Sequence, residues 1–171
     1  MPNIQSMINA HNKKVLEEKQ TLTRGSCNCE NKQECPLSGE CKTTNVLYEA
    51  KMTSSIQNYG EKVYRGITKP IFKRRFGNHK KSFHNIKYRN ETEHSKEVWK
   101  VKNKGGEFNI KWRIVKQYPT YSLENKRCAL CLNEKLEIIE NADKNSLNKR
   151  HEIVSTCRHK SEYALKVFDV T

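Results

Sequence analysis

The stretch from Val46 to His79, VLYEAKMTSSIQNYGEKVYRGITKPIFKRRFGNH, decides the fold. Val46 to Met52 and Lys62 to Thr68 are rich in residues that suit a pleated surface, and the polar segment Thr53 to Glu61 between them carries one glycine. That pattern predicts an antiparallel hairpin with a long loop. Pro70, well tolerated in a first helical turn, then opens a predicted helix through Phe72, Arg75, Phe76, His79 and Phe83. Residues four apart share one helix face, so Arg75 and His79 point together. A guanidinium fork matches a phosphate, and an imidazole can donate to a phosphate oxygen or orient a hydroxyl. A solvated basic helix face would carry the same residue types.

Outward from this segment, Ile4, Met7, Ile8, His11 and Val15 recur at helical spacing and predict a lead-in helix from Asn3 to about Gln20 with a polar outer face. Thr92 to Asn103 reads as a helix stopped by Gly105 and Gly106. Phe108 to Tyr118 alternates Phe108, Ile110, Trp112 and Ile114 against polar residues, a half-buried third strand. Leu130 to Glu140, with Leu132, Leu136 and Ile139, reads as a further helix. The expected class is α/β in the α+β sense, a small three-stranded antiparallel sheet flanked by helices. Its parts are a helical lead-in (1–22), a cysteine-rich loop (23–44), a main domain (45–160) and a tail (161–171).

The 171 residues carry 33 Lys and Arg against 19 Asp and Glu, a net charge of +14 spread along the chain. Such an excess implies a polyanionic partner and argues against a purely structural or protein-interaction domain. No apolar run is long enough to span a bilayer. The N-terminus lacks the pattern of a secretory signal, so the cysteines are expected as thiols. Cys27, Cys29, Cys35 and Cys41 sit among polar residues, glycine and proline, a segment that cannot fold by burial alone and would be ordered by metal. Cys128 and Cys131 form a Cys-x-x-Cys at a helix start, and Cys157 with His159 can close a second shell from the tail. The seven cysteines and His159 suffice for two tetrahedral zinc sites, with sharing of ligands between the groups left open.

Only two aspartates occur, and no cluster of carboxylates. A phosphodiesterase built from this chain must therefore work with one divalent cation, for which Glu134 is a candidate ligand beside water and phosphate oxygens in an octahedral Mg²⁺ or Mn²⁺ shell. Lys73, Arg74, Lys80 and Lys81, with Lys87 and Arg89, surround the Arg75 helix and suit a grip on a nucleic-acid backbone. Tyr88 and Trp99 are interleaved with them, and Trp112 reads as core.

In order, Tyr48, Tyr64 with Gly66, Arg75 with His79, Glu134 and Asn148 are similar to the signature of GIY-YIG nucleases. Cys27-Asn-Cys29 with Cys35-Pro-Leu and Cys41, Phe72-Lys73 through Ser82-Phe83, Cys128-x-x-Cys131-x-x-Glu134-Lys135, Leu147-Asn148-Lys149-Arg150 and Cys157-Arg158-His159 more closely resemble the endonuclease domain of Penelope-like retroelements. The resemblance runs from Pro2 to about His159. It departs at Val46-Leu47, where Gly-Ile is usual, and at Arg65, where Ile is usual. What it implies is a nuclear, metal-dependent DNA endonuclease that nicks target DNA to prime retroelement integration, attached to a reverse transcriptase in a larger polyprotein. Tyr48 would be the general base, Glu134 the ligand of the catalytic cation and Arg75 the phosphate partner, with His79, Tyr64 and Asn148 orienting the reacting groups. A non-catalytic zinc-dependent nucleic-acid-binding module is the alternative.

Overall fold

The computed structural model describes residues 3–20, 27–122 and 124–162. The first residues of the cysteine loop (23–26) and most of the tail (163–171) lie outside the described residues, as do residues 1, 2, 21 and 22 of the lead-in. The elements run α1 (Ile4–Gln20), β1 (Val46–Ser54), β2 (Lys62–Thr68), α2 (Phe72–His84), α3 (Glu93–Asn103), β3 (Phe108–Gln117), α4 (Ala129–Glu140) and a short α5 (Arg150–Val154). The three strands form one antiparallel sheet in the order β2-β1-β3. The expected order is thus present, with α5 added. Pro70 does not open α2; it stands outside, before the N-cap Ile71. No helix among the described residues is long and apolar enough to cross a membrane.

Alternation along a strand sends successive side chains to opposite faces. On one face Tyr48, Ala50 and Met52 pack with Phe72, Phe83, Val98, Val101 and Trp112 beneath α2 and α3. On the other, Glu49 is buried and held by Arg65 Nη2 at 2.8 Å and Arg113 Nε at 2.7 Å, while α4 lies over β1 and β2. Arg65 therefore serves this ion cluster and points away from Tyr64. The cluster continues to Glu137 of α4, 4.0 Å from Arg65 Nε.

Two hydrophobic periodicities do not describe burial. In α1, Ile4 and Met7 are exposed and Asn12 is buried. In α4, the stripe Leu132, Leu136 and Ile139 is exposed, whereas Leu130 and Ile138 are buried. The face of α4 turned to the protein runs Leu130, Glu134, Glu137, Ile138, so its carboxylates go inward to meet arginines.

The edge strand β2 is closed along part of its length. Val63 pairs with the chain at Asn145 and Leu147 (N···O 2.9 and 2.8 Å). The Asn148 side chain then continues the ladder, accepting from Arg65 N and donating to Arg65 O, both at 2.8 Å. The edge opens at Gly66 and Ile67, and there the candidate site lies.

Candidate active site and metal centres

Tyr48, Tyr64, Gly66, Arg75 and His79 converge on the α2 face of the sheet. A register shift between Leu47 and Tyr48 in the β1–β3 pairing marks the point where Tyr48 is set beneath α2. Its hydroxyl accepts a hydrogen bond from Arg75 Nε at 3.0 Å and lies 2.8 Å from His79 Nε2. Burial, reinforced by the Arg75 charge and by His94, pushes His79 well below the usual imidazole range. His79 is therefore neutral near pH 7, a hydrogen-bond partner of the Tyr48 hydroxyl and a poor proton acceptor. Burial raises the Tyr48 hydroxyl above its ordinary value, and the Arg75 cation opposes that rise.

Gly66 is the cross-strand partner of Tyr48. A Cβ at this position would stand 2.6 Å from Tyr48 Oη and 2.9 Å from Cζ, so only glycine lets the tyrosine ring lie across β2. This is the physical content of the Tyr-x-Gly spacing. Gly66 also lines a cavity of about 320 Å³, with Tyr64, Arg75, Glu134, Arg158 and His159 among its walls. The fully buried Tyr48 does not line it; its hydroxyl is one layer behind, screened by Gly66 and Arg75. Tyr64 is the tyrosine that faces the cavity.

Glu134 enters from α4. Burial, with the Glu152 charge as second cause, lifts its carboxyl to about 7. Glu134 shares this cavity with Arg75 and Arg158 and is, among the described residues of its walls, the one carboxylate that could offer a ligand to a cation. Glu152 escaped the sequence reading: its carboxylate accepts from Lys149 N at 2.7 Å and from Asn148 Nδ2 at 3.1 Å. Asn148, expected beside the reacting groups, instead commits its amide to Arg65 and Glu152. Also unforeseen is His94, buried under Tyr64 with ring centroids 5.4 Å apart, neither of its nitrogens having a hydrogen-bond partner.

The two cysteine groups are both assembled, with no sharing between them. The ligand atoms of Cys27, Cys29, Cys35 and Cys41, and those of Cys128, Cys131, Cys157 and His159, lie within 4.8 Å of one another in each group. Tetrahedral Zn²⁺ with bonds of about 2.3 Å keeps its sulfurs about 3.8 Å apart. Cys41 Sγ is 3.5 Å from Cys27 Sγ and 3.8 Å from Cys29 Sγ; Cys131 Sγ is 3.5 Å from Cys157 Sγ and 3.3 Å from His159 Nδ1. Both groups could therefore bind zinc.

Each group stands at the N-terminus of a helix that carries the site. The Cys41 and Thr43 carbonyls accept from Lys73 N and Phe72 N at 2.7 and 2.9 Å, capping α2. Cys128 is the N-cap of α4, its sulfur accepting from Cys131 N at 3.5 Å. The first group thus sets the helix of Arg75 and His79, and the second that of Glu134.

The basic residues divide by use. Lys73 Nζ donates to Asn28 in the first cysteine loop at 3.1 Å, and Lys81 lies 4.1 Å over the Tyr88 ring. Lys80 is exposed, and Arg74 lines a second cavity beside Arg75. No protein-family model, no curated protein and no solved structure matches the chain.

Proposed function

We propose that the chain is a DNA endonuclease of the GIY-YIG kind, hydrolysing a phosphodiester with one divalent cation at Glu134. The observation that carries this reading is the convergence of Tyr48, His79, Arg75, Tyr64 and Gly66 on one side of a cavity with Glu134 on the other. Mg²⁺ or Mn²⁺ held there would supply Lewis-acid polarisation of the phosphate and stabilise the leaving oxyanion. Arg75 binds the scissile phosphate and offsets the charge that develops on it. In doing so it leaves Tyr48, opening the hydroxyl to a water at Gly66. The Tyr48 phenolate, favoured by nearby cationic charge, takes that water's proton, while neutral His79, at hydrogen-bond distance, orients the tyrosine oxygen. Tyr64, in the cavity wall, orients the water, and Asn148 acts at a distance by fixing β2 at Arg65. The +14 charge supports DNA as the substrate. A nicking role in retroelement integration, alongside a reverse transcriptase and acting on nuclear DNA, extends the same reading.

The test is conservative replacement. Tyr48→Phe deletes one oxygen and should slow single-turnover nicking of supercoiled plasmid by about a hundredfold to ten-thousandfold. Arg75→Lys keeps the charge but loses the fork, and should be comparably severe. Wild-type rates in both variants would sink the assignment and favour a binding module without chemistry.

A further inference from the structure

A second cavity, of about 650 Å³, adjoins the first, and Ile67, Arg75 and His159 line both. Its polar walls are Thr68, Lys69, Arg74, Arg75, Asn78 and His159, and among the described residues no carboxylate lines it. The two spaces differ in charge. The Glu134 cavity combines Arg75 and Arg158 with a carboxylate. The larger one supplies positive charge from the protein alone, with a hydroxyl and an amide for neutral hydrogen bonds. Arg75 stands at the junction, so a ligand whose phosphate meets Arg75 has its next segment directed into either the bulk or this space. The volume is that of a pocket for a small organic ligand, more than a lone phosphate requires.

We propose that the larger cavity is a nucleotide subsite: it seats the nucleotide next to the cut, with that unit's own phosphate on Lys69 and Arg74. This rests on the nuclease reading for the word "cut", but the binding chemistry, two phosphates bridged by one nucleoside across Arg75, is independent of catalysis. Lys69 and Arg74 are then positioning residues that hold the strand so that the scissile phosphate stays on Arg75. Arg74 is exposed on α2 and is free of any role in the core, so its removal spares the fold.

Calorimetry of the zinc-loaded full chain with thymidine 3′,5′-bisphosphate and with thymidine 3′-monophosphate, whose single phosphate is the one for Arg75, tests the proposal without any reaction. The bisphosphate should bind at least about tenfold more tightly, and Arg74→Ala should erase that preference while changing neither the melting temperature nor monophosphate binding. Equal affinities, a preference that survives in both Arg74→Ala and Lys69→Ala, or no binding of the bisphosphate at millimolar concentration would overturn it. Plasmid nicking by the same preparation separates the two readings. A bisphosphate preference without nicking keeps the subsite and removes the nuclease; nicking without the preference removes the subsite alone.

Discussion

Gly66→Ala adds one methyl group where it tests both packing and chemistry. The new Cβ would lie 2.6 Å from Tyr48 Oη, 2.9 Å from Tyr48 Cζ and 3.2 Å from Tyr64 Cε1. Carbon contacts settle near about 3.5 Å, so the Tyr48 hydroxyl has to retreat by roughly 0.9 Å. The β2 backbone cannot yield instead, because it is paired to β1 on one side and held by Asn148 at Arg65 on the other. A retreat of that size breaks at least one of the bonds to His79 at 2.8 Å and Arg75 at 3.0 Å. Overpacking of this kind costs about 1–3 kcal/mol, and a misplacement near 1 Å in a reacting constellation costs about a hundredfold in rate. Gly77→Ala is the matched control. It lies in α2 with nothing within 4 Å of its Cβ, and should stabilise the helix by roughly 0.5–1 kcal/mol. Thermal melts and single-turnover nicking rates of both variants give the answer. A Gly66→Ala protein that melts and cuts like Gly77→Ala would refute the placement of Tyr48 across Gly66.

Elemental analysis should find close to two zinc ions per chain, and stripping them should lower the melting temperature by at least about 10 °C, since both groups cap helices of the main domain; an unchanged melt would show the thiols to be unligated. Acid should destabilise the protein through His94. Burial holds its imidazole down to about 3, below its unfolded value of 6.5, so the stability it contributes is complete above pH 6.5 and is lost as pH falls toward 3. Between pH 6.5 and 5.5 this one proton changes stability by about 1 kcal/mol, and comparison of urea melts at the two pH values should show that change reduced in His94→Phe. An identical slope in that variant would mean that the proton is taken up elsewhere.

The strands were legible because their signals are local: β-formers bounded by turns for β1 and β2, and strict alternation for β3. The cysteine groups were legible from spacing, but whether they share ligands was not, and the assembled structure separates them. The buried face of α4 was not, because it carries Glu134 and Glu137 toward arginines, and hydropathy assigns such a face to solvent. Asn148 illustrates a second limit. Its amide substitutes for a missing strand at Arg65, a use that depends on which backbone lies opposite and leaves no trace in residue type. Glu49 and Arg65 likewise become a buried pair only through the β1–β2 register. The screening of Tyr48 by Gly66 and Arg75 follows from that register too, so the sequence order of Tyr48 and Tyr64 could not say which one meets the cavity.

Glu134 bears most directly on whether this fold cuts DNA or only holds it. With Mg²⁺ or Mn²⁺, wild-type protein should convert supercoiled plasmid to nicked circles, and Glu134→Ala should abolish that conversion while duplex affinity, set by the lysines and arginines, stays within a few-fold. Nicking that persists undiminished in Glu134→Ala, or affinity that collapses together with it, would contradict a catalytic cation at this carboxylate.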